Sequence, residues 1–229
     1  MAAASCLAIL TLAACGGSSD SDESDAKPAA EATTSAEPSE ATDSPAAPAA
    51  GGDHPEWANP PSQTGEKISS FKVGDDISVD VFQVGVAKAT KSGQFVDPDT
   101  NKPIIAEGAD IVFVNYVITN NGDPVDLGSS LVDPDARYDD WKYLQGMDSV
   151  VDSALFEQMK VDNDVLAPGG YNDAGIYTFG TGQTISVAQN FLYQKDSPIT
   201  FEAKAIPVDA EGELLHDQGV EGEGKGTIK

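Results

Sequence analysis

The chain has 229 residues, with 13 Lys and Arg against 38 Asp and Glu, for a formal net charge of −25. Such a charge disfavours binding to nucleic acid or to an anionic lipid surface, while leaving a cationic partner or a metal ion open. Two cysteines and two histidines, far apart in sequence, exclude the Cys/His zinc-site patterns.

Residues Ala2 to Ala14 read AAASCLAILTLAA, an apolar run of signal-peptide length and too short to span a bilayer as a helix. A buried, inert helix would show a polar face at helical spacing, and this run shows none. Small residues Ala13 and Ala14 precede Cys15, and Gly16-Gly17-Ser18-Ser19 and a run of acids follow. Leu12-Ala13-Ala14-Cys15 resembles the bacterial lipobox. The resemblance implies cleavage between Ala14 and Cys15 and a lipidated Cys15 as the new first residue. Residues 1–14 are then the signal peptide, and the protein is held at the membrane by acyl chains, facing the extracytoplasmic side. No Lys or Arg precedes the apolar run, so either the start codon lies upstream or the chain is incomplete.

Residues 15–65 are dominated by Pro, Ala, Ser, Thr, Gly and acids, with Trp57 the only large apolar side chain. Residues 16 to 65 carry ten acids against Lys27 alone, a net of −9. A segment of this kind cannot offset its ordering entropy and reads as a disordered tether, reaching roughly 40 Å. His54-Pro55-Glu56-Trp57 is the one stretch able to dock on a folded domain.

The remainder suffices for one domain, expected over residues 66–208, with an acidic Gly-rich tail at 209–229. Ile77 to Val86, ISVDVFQVGV, changes apolar parity at Val81-Phe82, which predicts a β-bulge. Asp110 to Asn120, DIVFVNYVITN, is apolar on both faces and predicts a central strand. Asn120-Asn121-Gly122-Asp123-Pro124 is a turn signal. Ser130–Val132, Val165–Leu166, Gly175–Phe179 and Thr184–Ala188 are further strand candidates, and Ile199 to Ala205, ITFEAKA, alternates cleanly. Asp148 to Lys160 carries Val151, Leu155 and Met159 every fourth residue, predicting a short helix capped by Ser149 with Asp152 at N3. The tail reads as fraying beyond His216, or as adding an edge hairpin at Ala210-Glu211-Gly212. Short strands and frequent turns make the chain all-β: an antiparallel sandwich with one short inserted helix.

The bulged strand, VFVNYVITNNGDPVDL, SLVDPDARY and LAPGGYNDAGIYTF followed by ITFEA stand in order. Together they resemble the immunoglobulin-like domain of Gram-positive surface lipoproteins, and they are similar to the mycobacterial secreted immunoprotective antigen family. The likeness covers residues 75 to 208. It implies an immunoglobulin-like sandwich and carries over no catalytic residue. Asp133-Pro134-Asp135-Ala136 lacks the glycine usual in a turn of that family, and residues 139 to 164 read as an insertion.

Motifs for zinc proteases, nucleophile elbows, P-loops and dinucleotide sites are absent from the sequence. The aromatic cluster Tyr138, Trp141 and Tyr143 beside Asp139 and Asp140 is the candidate ligand or partner surface. Asp-x-Asp pairs at 97/99, 133/135 and 162/164 make calcium conceivable, with Asp133, Asp135, Asp139 and Asp140 the candidate ligands. No cofactor is expected. The leading expectation is a non-enzymatic, lipid-anchored domain that recognises another envelope or membrane protein. A solute- or calcium-binding lipoprotein is the alternative, and a cell-wall-acting enzyme ranks below both.

Overall fold

In the computed structural model, which describes residues 53–229, the strand that is apolar on both faces lies inside a four-stranded antiparallel sheet. That sheet runs β1 (Glu66–Val73), β2 (Ile77–Lys88), β5 (Asp110–Asn120), β8 (Thr184–Leu192), in that order. A second sheet has the order β10-β9-β6-β7, from β6 (Val125–Tyr138), β7 (Tyr177–Phe179), β9 (Pro198–Pro207) and β10 (Val220–Thr227). Two-residue strands β3 (Val96–Asp97) and β4 (Lys102–Pro103) form a hairpin in the β2–β5 connection. The signal peptide, the Ala14–Cys15 cleavage point, lipidated Cys15 and the tether up to residue 52 lie outside the described residues.

The sheets share one apolar core. Val112, Val114, Tyr116 and Ile118 of β5 meet Ile199, Phe201, Ala203 and Ala205 of β9, the alternation the sequence predicts for both. Tyr116 meets Phe201 edge-on at 6.0 Å, and Tyr138 meets Phe191 likewise at 5.6 Å. The other face of β5 makes a second core: Ile111 and Phe113 pack with Ile105, Val150, Leu155, Phe156 and Val161. The short helix α1 (Ser153–Met159) supplies Leu155 and Phe156 to it.

Several local expectations are corrected. The parity change at Val81-Phe82 coincides with a register step against β1, but the extra residue there is on the partner strand: Ile68 lies between the pairs Lys67–Phe82 and Ser69–Val81. The extra residue against β5 is Val84, where the register steps from Gln83 to Gly85. The helix is capped by Asp152, whose side chain accepts from the Ala154 amide, and not by Ser149; Val151 is left exposed. Asp133-Pro134-Asp135-Ala136 is strand, not turn. Proline is tolerated there because β7 pairs with β6 only through Val125–Leu127, and the Pro134 carbonyl accepts from Gln189 instead. Val165–Leu166 forms only an isolated bridge to Ala58.

Of the two expectations for the tail, the edge hairpin holds and the fraying does not: Val208 bridges Leu214 around a turn at Ala210-Glu211, β10 then pairs with β9 along its whole length, and Ile228 is buried. Its sequence, VEGEGKGT, places glycine at every second position. The glycines face β1. A Cβ on Gly222 would overlap the Lys72 carbonyl oxygen, and one on Gly224 would lie 2.6 Å from the Phe71 ring. Ser69 occupies an inward position of β1 opposite them and donates to the Lys225 carbonyl. Backbone therefore packs on backbone, closing that flank of the sandwich.

The opposite flank is closed by the strap Asp53–Gly65. Trp57 packs edge-on against Tyr177 at 5.3 Å and donates its indole N–H to the Thr178 carbonyl. Asn59 donates to the Asp164 and Leu166 carbonyls. Further on, the Ser62 amide donates to Ser186 Oγ while Asn115 Nδ2 donates to the Ser62 carbonyl at 2.7 Å. Asn115 Oδ1 is buried with no partner. The stretch able to dock does so, and it brings the next eight residues with it.

Gly222→Ala is expected to destabilise the fold by about 3 kcal/mol, because the Lys72 carbonyl is backbone and cannot swing aside. Gly146→Ala, with open space around it and no positive φ, is expected to change stability by less than about 0.5 kcal/mol. Urea unfolding midpoints of the two variants measure the contrast.

Candidate functional site

Tyr138, Trp141 and Tyr143 do not share a surface. Tyr138 ends β6 with its ring in the core at 1 % exposure, and its hydroxyl donates to the Leu192 carbonyl. Burial raises that phenol well above its ordinary value, so it stays protonated. Trp141 and Tyr143 lie in the β6–α1 loop, half-buried and edge-on to each other at 5.0 Å. Trp141 donates its indole N–H to the Gln145 carbonyl, and Arg137 donates to the Tyr143 and Gln145 carbonyls.

Two carboxylates fasten this loop to the β2–β5 connection. Asp97 of β3 accepts from the Tyr143 hydroxyl, from Lys142 Nζ at 3.0 Å, and from the amides of Asp99 and Thr100. The Tyr143 and Lys142 hydrogen bonds hold its carboxyl well below the usual carboxylate range and push both partners up. Asp148, only 4 % exposed, accepts from the amides of Gln94, Phe95 and Ser149. The Asp-x-Asp pairs thus include turn and clamp devices: Asp97 binds its own turn, and Asp164 accepts from the Leu166 amide.

The clamped loops present apolar side chains to solvent: Phe95 and Val96 on one, Leu144 and Val151 on the other, with Leu144 fully exposed. They belong to the end of the sandwich where β5 begins and β8 ends, since Ile111 pairs with Leu192. The strap enters at the other end. Asp53 accepts through its carbonyl from the amide of Thr184, which pairs with Thr119 at the close of β5.

Asp133 and Asp135 are elsewhere, on the open outer face of the second sheet. The register lines up Asp133, Lys204 and Glu221 in one row and Asp135, Glu202 and Glu223 in the next. These residues surround a shallow groove of about 500 Å³. Burial and the neighbouring Asp135 raise the Asp133 carboxyl, while Lys204 opposes the rise. Asp139 and Asp140 lie in the turn that follows β6, and Asp139 accepts from the Thr200 hydroxyl. The four aspartates do not converge. Among the described residues no three His, Cys, Asp or Glu side chains are arranged to hold a metal ion.

Sequence reasoning did not find Asp148 or the role of Asp97. The Asp97-to-Thr100 spacing is a turn signature that was available. Asp148 carries no such signal, since two of its three partners are backbone amides over fifty residues away.

No protein-family model matches the chain, and no curated protein does. A solved structure from Bacillus subtilis, described as a lipoprotein (ycdA), is 15% identical with a TM-score of 0.32. The match covers 69% of this chain and 38% of that one, so this chain spans less than half of it. At that score the likeness assigns neither family nor activity.

The depressed Asp97 carboxyl fixes a pH dependence. Its contribution is complete above the unfolded value of about 3.9 and is lost as pH falls through the lower folded value. In a Trp57→Phe background, Trp141 emission is expected to stay constant from pH 7 to about 4 and to shift below. Asp97→Asn is expected to show the shifted emission already at pH 7. The raised Asp133 carboxyl has the opposite sign: its charge opposes folding at neutral pH and is relieved on acidification. Asp135→Asn removes a like-charged neighbour and is expected to raise Tm by about 1–3 °C at low ionic strength, less in 1 M salt. Calorimetry at the two salt concentrations measures it.

Proposed function

We propose that this chain is a lipoprotein anchored to the membrane on its extracytoplasmic side, and that its sandwich is a non-catalytic module recognising another envelope or membrane protein. The observation that carries the reading is Leu12-Ala13-Ala14-Cys15, placed between an apolar run and a long acidic, Pro/Ala/Ser-rich stretch. A cysteine in that setting is suited to acylation, and two or more acyl chains hold a protein stably at a bilayer. Among the described residues no helix is long and apolar enough to cross a membrane.

Recognition is favoured over chemistry by the kind of surface the domain offers. Its carboxylates are clamped to backbone amides or spread along a solvated sheet. Among the described residues, four of the eight exposed large apolar side chains, the fully exposed Leu144 included, lie on two fastened loops. The strap enters at one end of the sandwich and those loops occupy the other. A kinship with immunoglobulin-like surface lipoprotein domains fits this reading and is part of it.

The test is detergent phase partitioning of the full chain made in a Gram-positive host, with mass spectrometry of the mature amino terminus. The expected species begins at Cys15, carries acyl chains and enters the detergent phase. Cys15→Ser is expected to carry no acyl chain and to retain residues 1–14 in the mass spectrum. A wild-type chain that remains aqueous and unmodified overturns the proposal.

A further inference from the structure

We propose that the two clamped loops form a docking platform for a protein surface that has an apolar pocket rimmed by lysine and arginine, with Leu144 as the anchor. This rests on the reading of the domain as a protein-recognition module and adds the place and chemistry of the contact.

Leu144 is fully exposed, although it lies between residues that are all held. Tyr143 is fixed through its hydroxyl by Asp97 and through its carbonyl by Arg137, and the Gln145 carbonyl accepts from Trp141 and Arg137. An apolar side chain on a loose loop costs ordering entropy when it is buried at an interface. One on a fastened loop has that cost already met by the fold, which is the property of an interface anchor. Phe95, Val96 and Val151 widen the apolar area on the same clamped pair of loops.

Charge selects the occupant. Asp135, Asp139 and Asp140 are exposed around the base of the loop. The cations beside them are committed: Lys142 to Asp97, and Arg137 to the Tyr143 and Gln145 carbonyls. Lys91 and Lys102 are the other exposed cations of the paired loop, balanced in part by Asp99. With a net charge of −25 over the chain, an anionic bilayer or a second copy would be repelled, while a basic rim is attracted.

The test places a benzophenone-bearing residue at exposed Gln145, or at Glu202 on the open sheet as a comparison, in the full lipidated chain within its producing cells. Illumination at position 145 is expected to give one protein adduct whose cross-linked peptide carries apolar residues beside Lys or Arg. Leu144→Asp is expected to lower its yield roughly tenfold or more, Leu144→Met to retain it, and Asp139→Lys with Asp140→Lys to lower it several-fold. Leu144 makes no buried contact, so an unchanged Tm shows that the loss is not unfolding. An adduct to a second copy, to lipid, or to a patch without basic residues overturns the proposal. An adduct from position 202 alone overturns it while leaving protein recognition standing, and silence at both positions counts against both.

Discussion

Two stacked sheets bury the faces they share but leave two long flanks open, and water reaching the core through either would undo the gain. This chain closes its flanks by different means. On one, β10 gives up side chains altogether: Gly222, Gly224 and Gly226 allow its backbone to rest on β1. On the other, the strap Asp53–Gly65 lays Trp57 on Tyr177 and ties Asn59 and Ser62 to the neighbouring loop and strands. The first seal is covalently the carboxyl end of the domain and the second its amino end. The core therefore depends on segments whose composition alone would mark them as dispensable.

The same closure sets what is left outside. The sheet containing β5 is covered on both faces, since α1, Ile105 and Val161 build a second core over its outer side. The other sheet keeps a solvated face, and there the alternation of β6, β9 and β10 lines up carboxylates in adjacent rows. Neighbouring like charges at that spacing cost stability, so the row is tolerated only because water and salt screen it. The acidity of the composition thus divides into two populations. Asp97, Asp148, Asp152 and Asp164 bind amides and hold local structure. Asp133, Asp135, Glu202, Glu221 and Glu223 hold nothing and give the open face its sign.

This division explains what could be read in advance. Strands with period-two alternation and clean turns, β5, β9 and the Asn120–Pro124 turn, were legible because their side chains report burial directly. β1 was not, because Ser69 occupies an inward position where β10 leaves no room for a larger group. β10 was legible only as one of two alternatives, through the turn at Ala210-Glu211-Gly212, because its own pattern lies in absent side chains, and alternate glycine resembles a linker until a facing backbone is known. Among the site candidates, Trp141 and Tyr143 lie together in the β6–α1 loop. Tyr138, next to them in sequence, belongs to the core, since β6 runs on to that residue and even-numbered positions there face inward. The clamps were beyond reach for a general reason: a carboxylate binding backbone amides has partners without sequence identity.

An energetic asymmetry runs through the clamps. Taking Asp148 out of water is costly, and three amide donors offset that cost only if the chain around Gln94 and Phe95 keeps one conformation. The carboxylate therefore orders a loop that has little apolar burial of its own, and through Asp97 that order passes to Tyr143 and the loop bearing Leu144. A fold needing only stability would have turned these apolar side chains inward or replaced them with polar ones. Here the molecule commits two carboxylates, an arginine and a lysine to holding exposed apolar groups still, at the end remote from the strap. The constraint that closes the core at Trp57 and the order that fixes Leu144 thus act at opposite ends of one rigid sandwich, and this gives the domain a direction.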